Sequence, residues 1–311
     1  MKIRQNLMIG MIVTSFVAAN VATSSSVPNA AGVPVQIIVT AVPASGVRPP
    51  DNLEADDLAV TLGNAPARLV HSQRLTGDLA DMQLFVLLDD STRSSSLGVQ
   101  LPELKAFIGS LPATTEVAIG YMRNGTFGLA QGFTADHAKA ANALRLPEAI
   151  PGGNGSPYFA LSDLVKHWPS KESTNRRAVL MLTDGVDRYY DTSMVDDPYV
   201  DASAHDAVIK GVIVYSIYLR DAGFYDRGDR VTLFAQSRLN EVSQETGGNA
   251  YFQDFADPVS ISPFMKDLRN RLDHQYELTI NAFNGHGVRP VKVRSEILGV
   301  KIQGPTRVYV Q

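Results

Sequence analysis

Two unbroken apolar runs, each followed at once by polar residues, dominate the hydrophobic pattern of the chain. Residues 84–88 lead directly into Asp89, and residues 178–182 are followed by Thr183 and Asp184. Apolar runs without alternation are typical of parallel strands that are buried on both faces. Ligands bind at the carboxyl edge of open α/β sheets, so we expect both aspartates at such an edge.

Between residues 81 and 274, strand-like runs alternate with helical patterns. The predicted helices cover residues 101–108, 135–144, 158–165, 202–210, 230–247 and 262–273. Strands separated by helices of this length indicate βαβ units. The pattern therefore predicts an α/β fold with a doubly wound, mostly parallel sheet.

Both flanks of this region are β-rich. The N-terminal flank, residues 34–80, contains a strand-like run at 35–42 and a predicted hairpin at 58–72, and residues 275–311 contain further strand-like runs. Neither flank is long enough to bury a core alone. We expect the two to pack together as a small β-sandwich built from both chain ends.

The first 22 residues have the outline of a secretory signal peptide. Lys2 and Arg4 precede an apolar run at 7–19 and small residues, and a spacer at 23–33 follows. The apolar run is shorter than the roughly 20 residues that span a bilayer, so stable membrane insertion after cleavage is not expected. The predicted location is periplasmic or extracellular. With no cysteine, the exported chain depends on core packing rather than disulfides.

Composition and the absence of certain motifs exclude several classes of function. A chain of 311 residues, 44% hydrophobic, can build a large core, and its net charge of −4 argues against nucleic acid or anionic lipid as a partner. Ser156 lacks a Gly-x-Ser-x-Gly elbow, and the glycines at 152–155 lack a phosphate-loop lysine. None of the six histidines belongs to a recognisable metal pair. Catalysis is therefore not expected.

Three polar motifs carry a resemblance to a known family. Asp89-x-Ser91 follows the first strand, Gly-Gly-Asn-Gly-Ser-Pro at 152–157 opens a helix, and Leu-Thr-Asp-Gly at 182–185 ends the second strand. In this order, over residues 81–274, they resemble a von Willebrand factor A-type (VWA) domain. The flanks resemble those of secreted bacterial VWA-related proteins.

The resemblance implies a metal-ion-dependent adhesion site. In the family, an Asp-x-Ser-x-Ser loop, a Thr and an Asp hold a divalent cation, and a carboxylate of the protein partner completes its coordination. By position, the implied ligands are Asp89, Ser91, Ser156 in place of Thr, and Asp184. Mg²⁺ or Mn²⁺ suits such oxygen ligands, and Ca²⁺ is the less expected ion.

Arg93 departs from this motif, because it stands where the second serine is expected. A guanidinium offers no lone pair to a metal. At about 4 Å from a divalent ion and an effective dielectric of about 20, the repulsion is about 8 kcal/mol. An inward Arg93 and a bound metal therefore exclude each other.

Three arrangements follow from this departure. In the first, Arg93 points to solvent and Ser94 supplies the hydroxyl. In the second, Arg93 folds inward between the two carboxylates and replaces the cation, which leaves the site metal-free. In the third, the motif shifts by one residue to Asp90-x-Thr92-x-Ser94, although such a shift turns over the faces of the strand.

Aromatic residues in the third loop complete the picture. Tyr189, Tyr190 and Tyr199 lie close to the implied site in sequence and are expected to form a partner-binding surface. The sequence favours a solvated loop over a Ca²⁺ site for the acidic residues of this region, which are Asp187, Asp191, Asp196, Asp197 and Asp201. The sequence thus predicts a secreted binding or adhesion module that recognises a protein partner through a degenerate adhesion site. The alternative is a metal-free VWA scaffold or docking protein in which Arg93 replaces the cation.

Overall fold

The computed structural model describes residues 32–153, 155–172, 174–190, 196–220, 229–282 and 286–311. The predicted signal peptide lies outside the described residues, as does nearly all of the spacer.

Strands and helices alternate through the middle of the chain and strands alone occupy its ends. The strands are β1 (Val33–Pro43), β2 (Leu58–Leu62), β3 (Ala65–Pro66), β4 (Arg68–Arg74), β5 (Met82–Asp89), β6 (Thr115–Arg123), β7 (Thr126–Thr134), β8 (Arg176–Thr183), β9 (Val212–Tyr218), β10 (Ala250–Tyr251), β11 (Gln275–Ala282), β12 (Gly287–Ser295), β13 (Val300–Gln303) and β14 (Arg307–Val310). The helices are α1 (Ser94–Gly98), α2 (Leu101–Gly109), α3 (His137–Asn142), α4 (Pro157–Lys166), α5 (Pro198–Lys210), α6 (Asp229–Glu245) and α7 (Ser262–Asp273). Among the described residues, none of the helices has the length and apolar character needed to cross a membrane.

The central sheet has six strands in the order β10-β9-β8-β5-β6-β7. All neighbours pair in parallel except β6 and β7, which form an antiparallel hairpin. Strand β5 lies between β6 and β8, and all eight of its residues are buried. The predicted doubly wound, mostly parallel sheet is confirmed. The two apolar runs form β5 and β8, which are direct neighbours.

The apolar runs are continuous because helices cover both faces of this sheet. Alternate residues of β5 enter opposite cores: Leu84 and Val86 pack into one, while Phe85 and Leu87 pack into the other. Helices α2, α3 and α7 contribute to the first core, and α4, α5 and α6 to the second. Strand residues in such a three-layer arrangement have no solvent-facing side, so the alternation expected of half-exposed strands is missing.

The two chain ends form two antiparallel four-stranded sheets, in the orders β13-β1-β11-β4 and β14-β12-β2-β3. Both sheets contribute to one apolar core, in which Val35 and Ile280 of the first sheet are grouped with Val60 and Val308 of the second. The predicted small β-sandwich is confirmed. The predicted hairpin at 58–72 is only partly correct, because β2 forms a hairpin with the short β3, while β4 joins β11 in the other sheet. The last hydrogen bond of this hairpin runs from the Ala67 amide to the Val60 carbonyl at 2.9 Å.

A tight turn joins β6 to β7 and places both at one side of the central sheet. Asn124 has φ of 54° and Gly125 has φ of 74°, the left-handed conformations that an Asn-Gly hairpin turn requires. Strand β7 is consequently the outermost strand on this side.

Candidate functional site

The carboxyl ends of β5 and β8 bring Asp89, Ser91 and Thr183 together. The Ser91 amide donates to Oδ1 of Asp89 at 2.9 Å and the Ser91 hydroxyl donates to the same oxygen at 2.7 Å. On the other side, the Thr183 hydroxyl donates to Oδ2 at 2.8 Å. All three residues are buried. Strand pairing therefore places two hydroxyl groups around one carboxylate. Asp89 and Ser91, predicted from the sequence as metal ligands, are thus brought together.

The ionised form of the Asp89 carboxyl group is destabilised by its surroundings. Burial raises the pKa of Asp89 from 3.8 to about 6, and the nearby Asp184 carboxylate also raises it, against the lowering effect of the hydrogen bonds from Ser91 and Thr183. The Asp89 carboxyl is thus a group that a nearby positive charge would strongly stabilise in its ionised form.

Arg188 supplies a positive charge to this edge through Asp184. Its Nη2 donates to Oδ2 of Asp184 at 2.5 Å and its Nη1 lies 3.5 Å from Oδ1. The Val186 amide donates to Oδ1 at 3.0 Å. The side chains of Arg188 and Asp184 are only 13% and 3% exposed, so this is a largely buried ion pair.

Arg93 does not take the inward position considered from the sequence. Arg93 is exposed at the residue that precedes α1, where its carbonyl accepts hydrogen bonds from the amides of Ser96 and Leu97. The start of this short helix directs the chain away from the sheet edge, and Ser94 is exposed as well. The metal-free alternative therefore needs a correction: the arginine that pairs with a carboxylate of the site is Arg188.

Asp90 belongs to a separate cluster, so the shifted motif is not assembled. Nε of Arg123 donates to its Oδ2 at 3.1 Å, while Nη1 of Arg145 and the Glu148 amide donate to its Oδ1 at 2.6 and 3.0 Å. The Thr92 hydroxyl donates to the Asp89 carbonyl at 3.0 Å rather than to a carboxylate. Consecutive residues at a strand end point to opposite sides, which separates Asp90 from Asp89.

Ser156 is buried and acts as the N-cap of α4. Its hydroxyl accepts from the Phe159 amide at 3.3 Å and donates to Oδ2 of Asp187 at 2.8 Å. Burial raises the pKa of Asp187, whose Oδ1 accepts from the Tyr189 amide at 2.8 Å. The partner of Ser156 is thus Asp187, a residue for which the sequence predicted only a solvated loop.

A glycine and a tyrosine hold the third loop in place. Gly185 has φ of 66°, and a Cβ on it would lie 2.8 Å from Cγ of Leu239, so a side chain is excluded on both grounds. The hydroxyl of the buried Tyr158 donates to the Gly185 carbonyl at 2.9 Å. These contacts position Asp184, Asp187 and Arg188 relative to the sheet.

The predicted tyrosines form a continuous surface with one further ring. We call Phe159, Tyr189, Tyr190 and Tyr199 the aromatic patch. Phe159 lies at its centre, with ring centroids 5.6 Å from Tyr189 and 4.6 Å from Tyr199, and Tyr190 lies 5.9 Å from Tyr199. The Tyr189 side chain is 54% exposed. Large, partly exposed aromatic rings are typical of the centre of protein interfaces.

A buried ion pair holds the start of α5, which carries Tyr199 of the aromatic patch. Asp197 caps α5 by accepting from the Tyr199 amide at 3.0 Å, and Arg238 of α6 lies 3.5 Å from its Oδ2. Asp197 and Arg238 are both buried, so part of the predicted solvated loop is structural. Of the other acidic residues of this loop, Asp196 and Asp201 are exposed, and Asp191 lies outside the described residues.

The side chains in this arrangement do not fit a divalent metal. A cation bound at Asp184 would approach the guanidinium of Arg188, at a cost of about 8 kcal/mol for a separation of about 4 Å and an effective dielectric of about 20. Ser156, one of the implied ligands, is engaged by Asp187. Over the described ranges, no group of three or more His, Cys, Asp or Glu side chains could hold a metal ion.

Four residues of the site were not predicted as functional from the sequence: Thr183, Asp187, Arg188 and Phe159. Thr183 belongs to the Leu-Thr-Asp-Gly motif at 182–185, for which only the aspartate was predicted as a ligand. Asp187 and Arg188 had a signal that could be followed, because they are the first charged residues after Asp184 in a loop that must return to the sheet. Phe159 had none, since its exposure depends on the packing of α4.

No family model matches the chain, and no curated protein matches it either. Among solved structures, an aerotolerance-related membrane protein from Bacteroides fragilis is 14% identical, with a TM-score of 0.43, over 62% of this chain and 98% of that one. The BatB protein from Bacteroides thetaiotaomicron is 12% identical, with a TM-score of 0.43, over 62% of this chain and 97% of that one.

A further similar structure is the vWF domain of the type V pili tip protein Mfa5 from Porphyromonas gingivalis. It is 9% identical, with a TM-score of 0.42, over 62% of this chain and 94% of that one. The α/β fold predicted from the sequence is present in this chain as a six-stranded, mostly parallel sheet with helices on both faces.

Proposed function

We propose that this VWA-type domain is an exported binding module that recognises a protein partner at the carboxyl edge of its central sheet without a metal ion. The largely buried pair between Asp184 and Arg188 is the observation that carries the proposal. It places a fixed positive charge beside the carboxylates, where the family's pattern calls for a cation. The domain has then no coordination position to offer to a partner's carboxylate, and recognition depends on protein surface alone.

The aromatic patch is the contact surface that this proposal assigns. Tyr189 and Tyr190 of the patch lie in the same loop as Arg188, and Phe159 lies on α4, the helix that Ser156 caps. The ion pair below it, between Asp197 and Arg238, orders the start of α5 and hence Tyr199. A surface of rigid rings over a fixed support loses little conformational entropy on binding, which favours affinity. We propose a binding role alone, with no reaction of its own.

Export forms the second part of the proposal. It rests on the sequence of residues 1–22, with their charged start, short apolar run and small residues. The partner would accordingly be met in the periplasm or outside the cell.

Thermal unfolding in EDTA and in excess Mg²⁺ or Mn²⁺ tests the metal-free proposal. We expect the wild-type midpoint to be the same in all three conditions. Arg188→Ser should gain a metal response, because it removes the repelling charge and adds a hydroxyl oxygen. A ligand at about a hundredfold excess over its Kd stabilises the native state by about 2.7 kcal/mol.

Arg93→Ser is the matched control. It restores the second serine of the family motif but leaves Arg188 in place, so no metal response is expected. Adding Asp184→Ala to Arg188→Ser should abolish the gained response. A wild-type midpoint that rises with metal, and no longer rises in Asp184→Ala, would overturn the proposal in favour of the metal-dependent adhesion site.

A further inference from the structure

A cleft of about 500 Å³ opens beside the β6–β7 hairpin, away from the ion pair of Asp184 and Arg188. Tyr121, Arg123, Gly128 and Leu129 of the hairpin line it, together with Arg145 from the segment after α3. It lies at the carboxyl end of β6, which runs parallel to β5, and therefore at the same edge of the sheet as Asp89.

Two arginines of this cleft share one buried carboxylate. Arg123 and Arg145 both pair with Asp90, and their side chains are 50% and 34% exposed against 1% for Asp90. The Arg145 guanidinium lies 3.8 Å above the ring centroid of Tyr121, which holds it flat against the wall. The second carboxylate of the cluster is the exposed Glu148, 3.4 Å from Nε of Arg145, so the two arginines balance one buried and one exposed acid.

The strand beside the cleft has an edge that is open beyond Phe127, whose amide donates to Oδ2 of Asp163 on α4 at 3.4 Å. Its pairing with β6 is irregular on both sides of Ile119. Strand β7 is nine residues long, is the last strand of its sheet, and contains neither proline nor any charged residue. Leu129 and Ala130 on it are exposed. Edge strands are usually short, charged or interrupted, because their free N–H and C=O groups otherwise pair with another chain. Within the part of the chain that the structure describes, no strand pairs with the outer side of β7.

We propose that β7 and this cleft form the docking site for an extended segment of a protein partner, which adds a strand to β7 and places an acidic side chain between Arg123 and Arg145. The inference rests on the proposed function and adds the chemistry of the partner. Strand addition supplies main-chain hydrogen bonds, and the pocket beside the strand supplies specificity. An arginine fork matches a carboxylate in geometry as well as charge.

Glu148 does not prevent this docking. Exposed ion pairs contribute little to stability, so a partner carboxylate that also gains strand pairing can displace Glu148 from Arg145. Gly128 leaves the entrance open: a Cβ there would meet only the Tyr121 carbonyl oxygen, at 3.8 Å. A larger side chain at 128 would therefore fit the strand and fill the cleft.

Selection of random linear peptides displayed on phage against the mature protein tests the inference. We expect enriched peptides to carry one acidic residue at a fixed position beside alternating β-branched residues. In calorimetric titration of one such peptide, exchange of its acid for the amide should weaken binding about tenfold, which corresponds to about 1.4 kcal/mol. Arg123→Gln should weaken binding by a similar factor, because it removes one of the two arginines. The fold should persist, because Asp90 keeps Arg145 and the Glu148 amide as partners.

Gly128→Val should abolish peptide binding, because Gly128 lines the cleft. Gly132→Val on the same strand should not, because Gly132 is not among the residues that line the cleft, and a Cβ there meets nothing within 4 Å. Failure to enrich peptides, or equal binding to Gly128→Val and wild type, would overturn the inference. Peptides that depend instead on Phe159 would also overturn it while supporting the proposed function. A wild-type dimer in sedimentation that Gly128→Val dissociates would show that a second copy occupies β7. A wild-type metal response, by contrast, would count against the proposed function alone.

Discussion

Replacement of Arg188 by methionine is expected to lower the free energy of unfolding by about 3 kcal/mol or more, because it strands the buried Asp184 carboxylate without its partner. Asp184 would keep the hydrogen bond from the Val186 amide but would lose its two contacts with the guanidinium. The neighbouring Asp89 makes an unpaired charge here still less favourable. Urea unfolding at pH 7, with an unchanged dependence on denaturant, would measure the loss.

The double variant Arg188→Met with Asp184→Asn isolates the ion pair. Removal of both charges leaves no uncompensated group, so most of the loss in the single variant should be recovered. Arg93→Met is the matched control at the same sheet edge, and as an exposed substitution it should change stability by less than about 0.5 kcal/mol. Equal losses for Arg188→Met and Arg93→Met would show that the pair contributes nothing to the folded state.

The fold was predictable because its layers leave a clear periodicity in the sequence. Residues 84–88 and 178–182 are continuously apolar since helices cover both faces of β5 and β8. The Asn124–Gly125 turn was equally predictable from the sequence, because few residue pairs adopt two left-handed conformations in succession. The short strand β13 and the transfer of β4 to the other sheet were not, since both depend on which distant strand is available for pairing.

The candidate site was predictable only as far as strand ends determine it. Asp89 and Asp184 follow directly from neighbouring strands, so the sheet brings them to one edge whatever the loops do. The partners of these aspartates are set by tertiary packing. The choice between Arg93 and Arg188 depends on where α1 begins and on the turn at Gly185, which Leu239 of another helix restricts. The missing second serine left open a bound metal or its replacement by Arg93, and it gave no indication that Arg188 is the arginine that pairs with Asp184.

Local rules of helix capping explain the remaining difference. Ser156 followed by Pro157 is a favourable start for a helix, and in the structure Ser156 indeed caps α4. The same hydroxyl was the implied third metal ligand. In the structure this hydroxyl accepts from the Phe159 amide and donates to Asp187, so both of its contacts are with the protein.

Asp89→Asn is expected to stabilise the protein at pH 7 by up to about 3 kcal/mol, the free energy that corresponds to the pKa rise of Asp89 from 3.8 to about 6. The folded protein holds this proton more tightly than the unfolded chain does. Between about pH 4 and 6 the unfolded state therefore binds fewer protons, and the contribution of Asp89 to stability falls as the pH rises. Asparagine is neutral and close in shape, so it removes this loss.

The test is the difference in unfolding free energy between Asp89→Asn and wild type from pH 4 to pH 8, which cancels the titration of other groups. The difference should be small at pH 4, grow through pH 6 and then stay constant. Asp90→Asn is a matched control of opposite sign. Burial alone would raise the pKa of Asp90, but hydrogen bonds from Arg145, the Glu148 amide and Arg123 lower it, so the stability it contributes is present at neutral pH and is lost as the pH falls. A flat difference for Asp89→Asn would mean that the pKa of Asp89 is the same in the folded and unfolded states. A difference with the sign of the Asp90→Asn control would mean that Asp89 is stabilised as a carboxylate, and a bound cation would account for that.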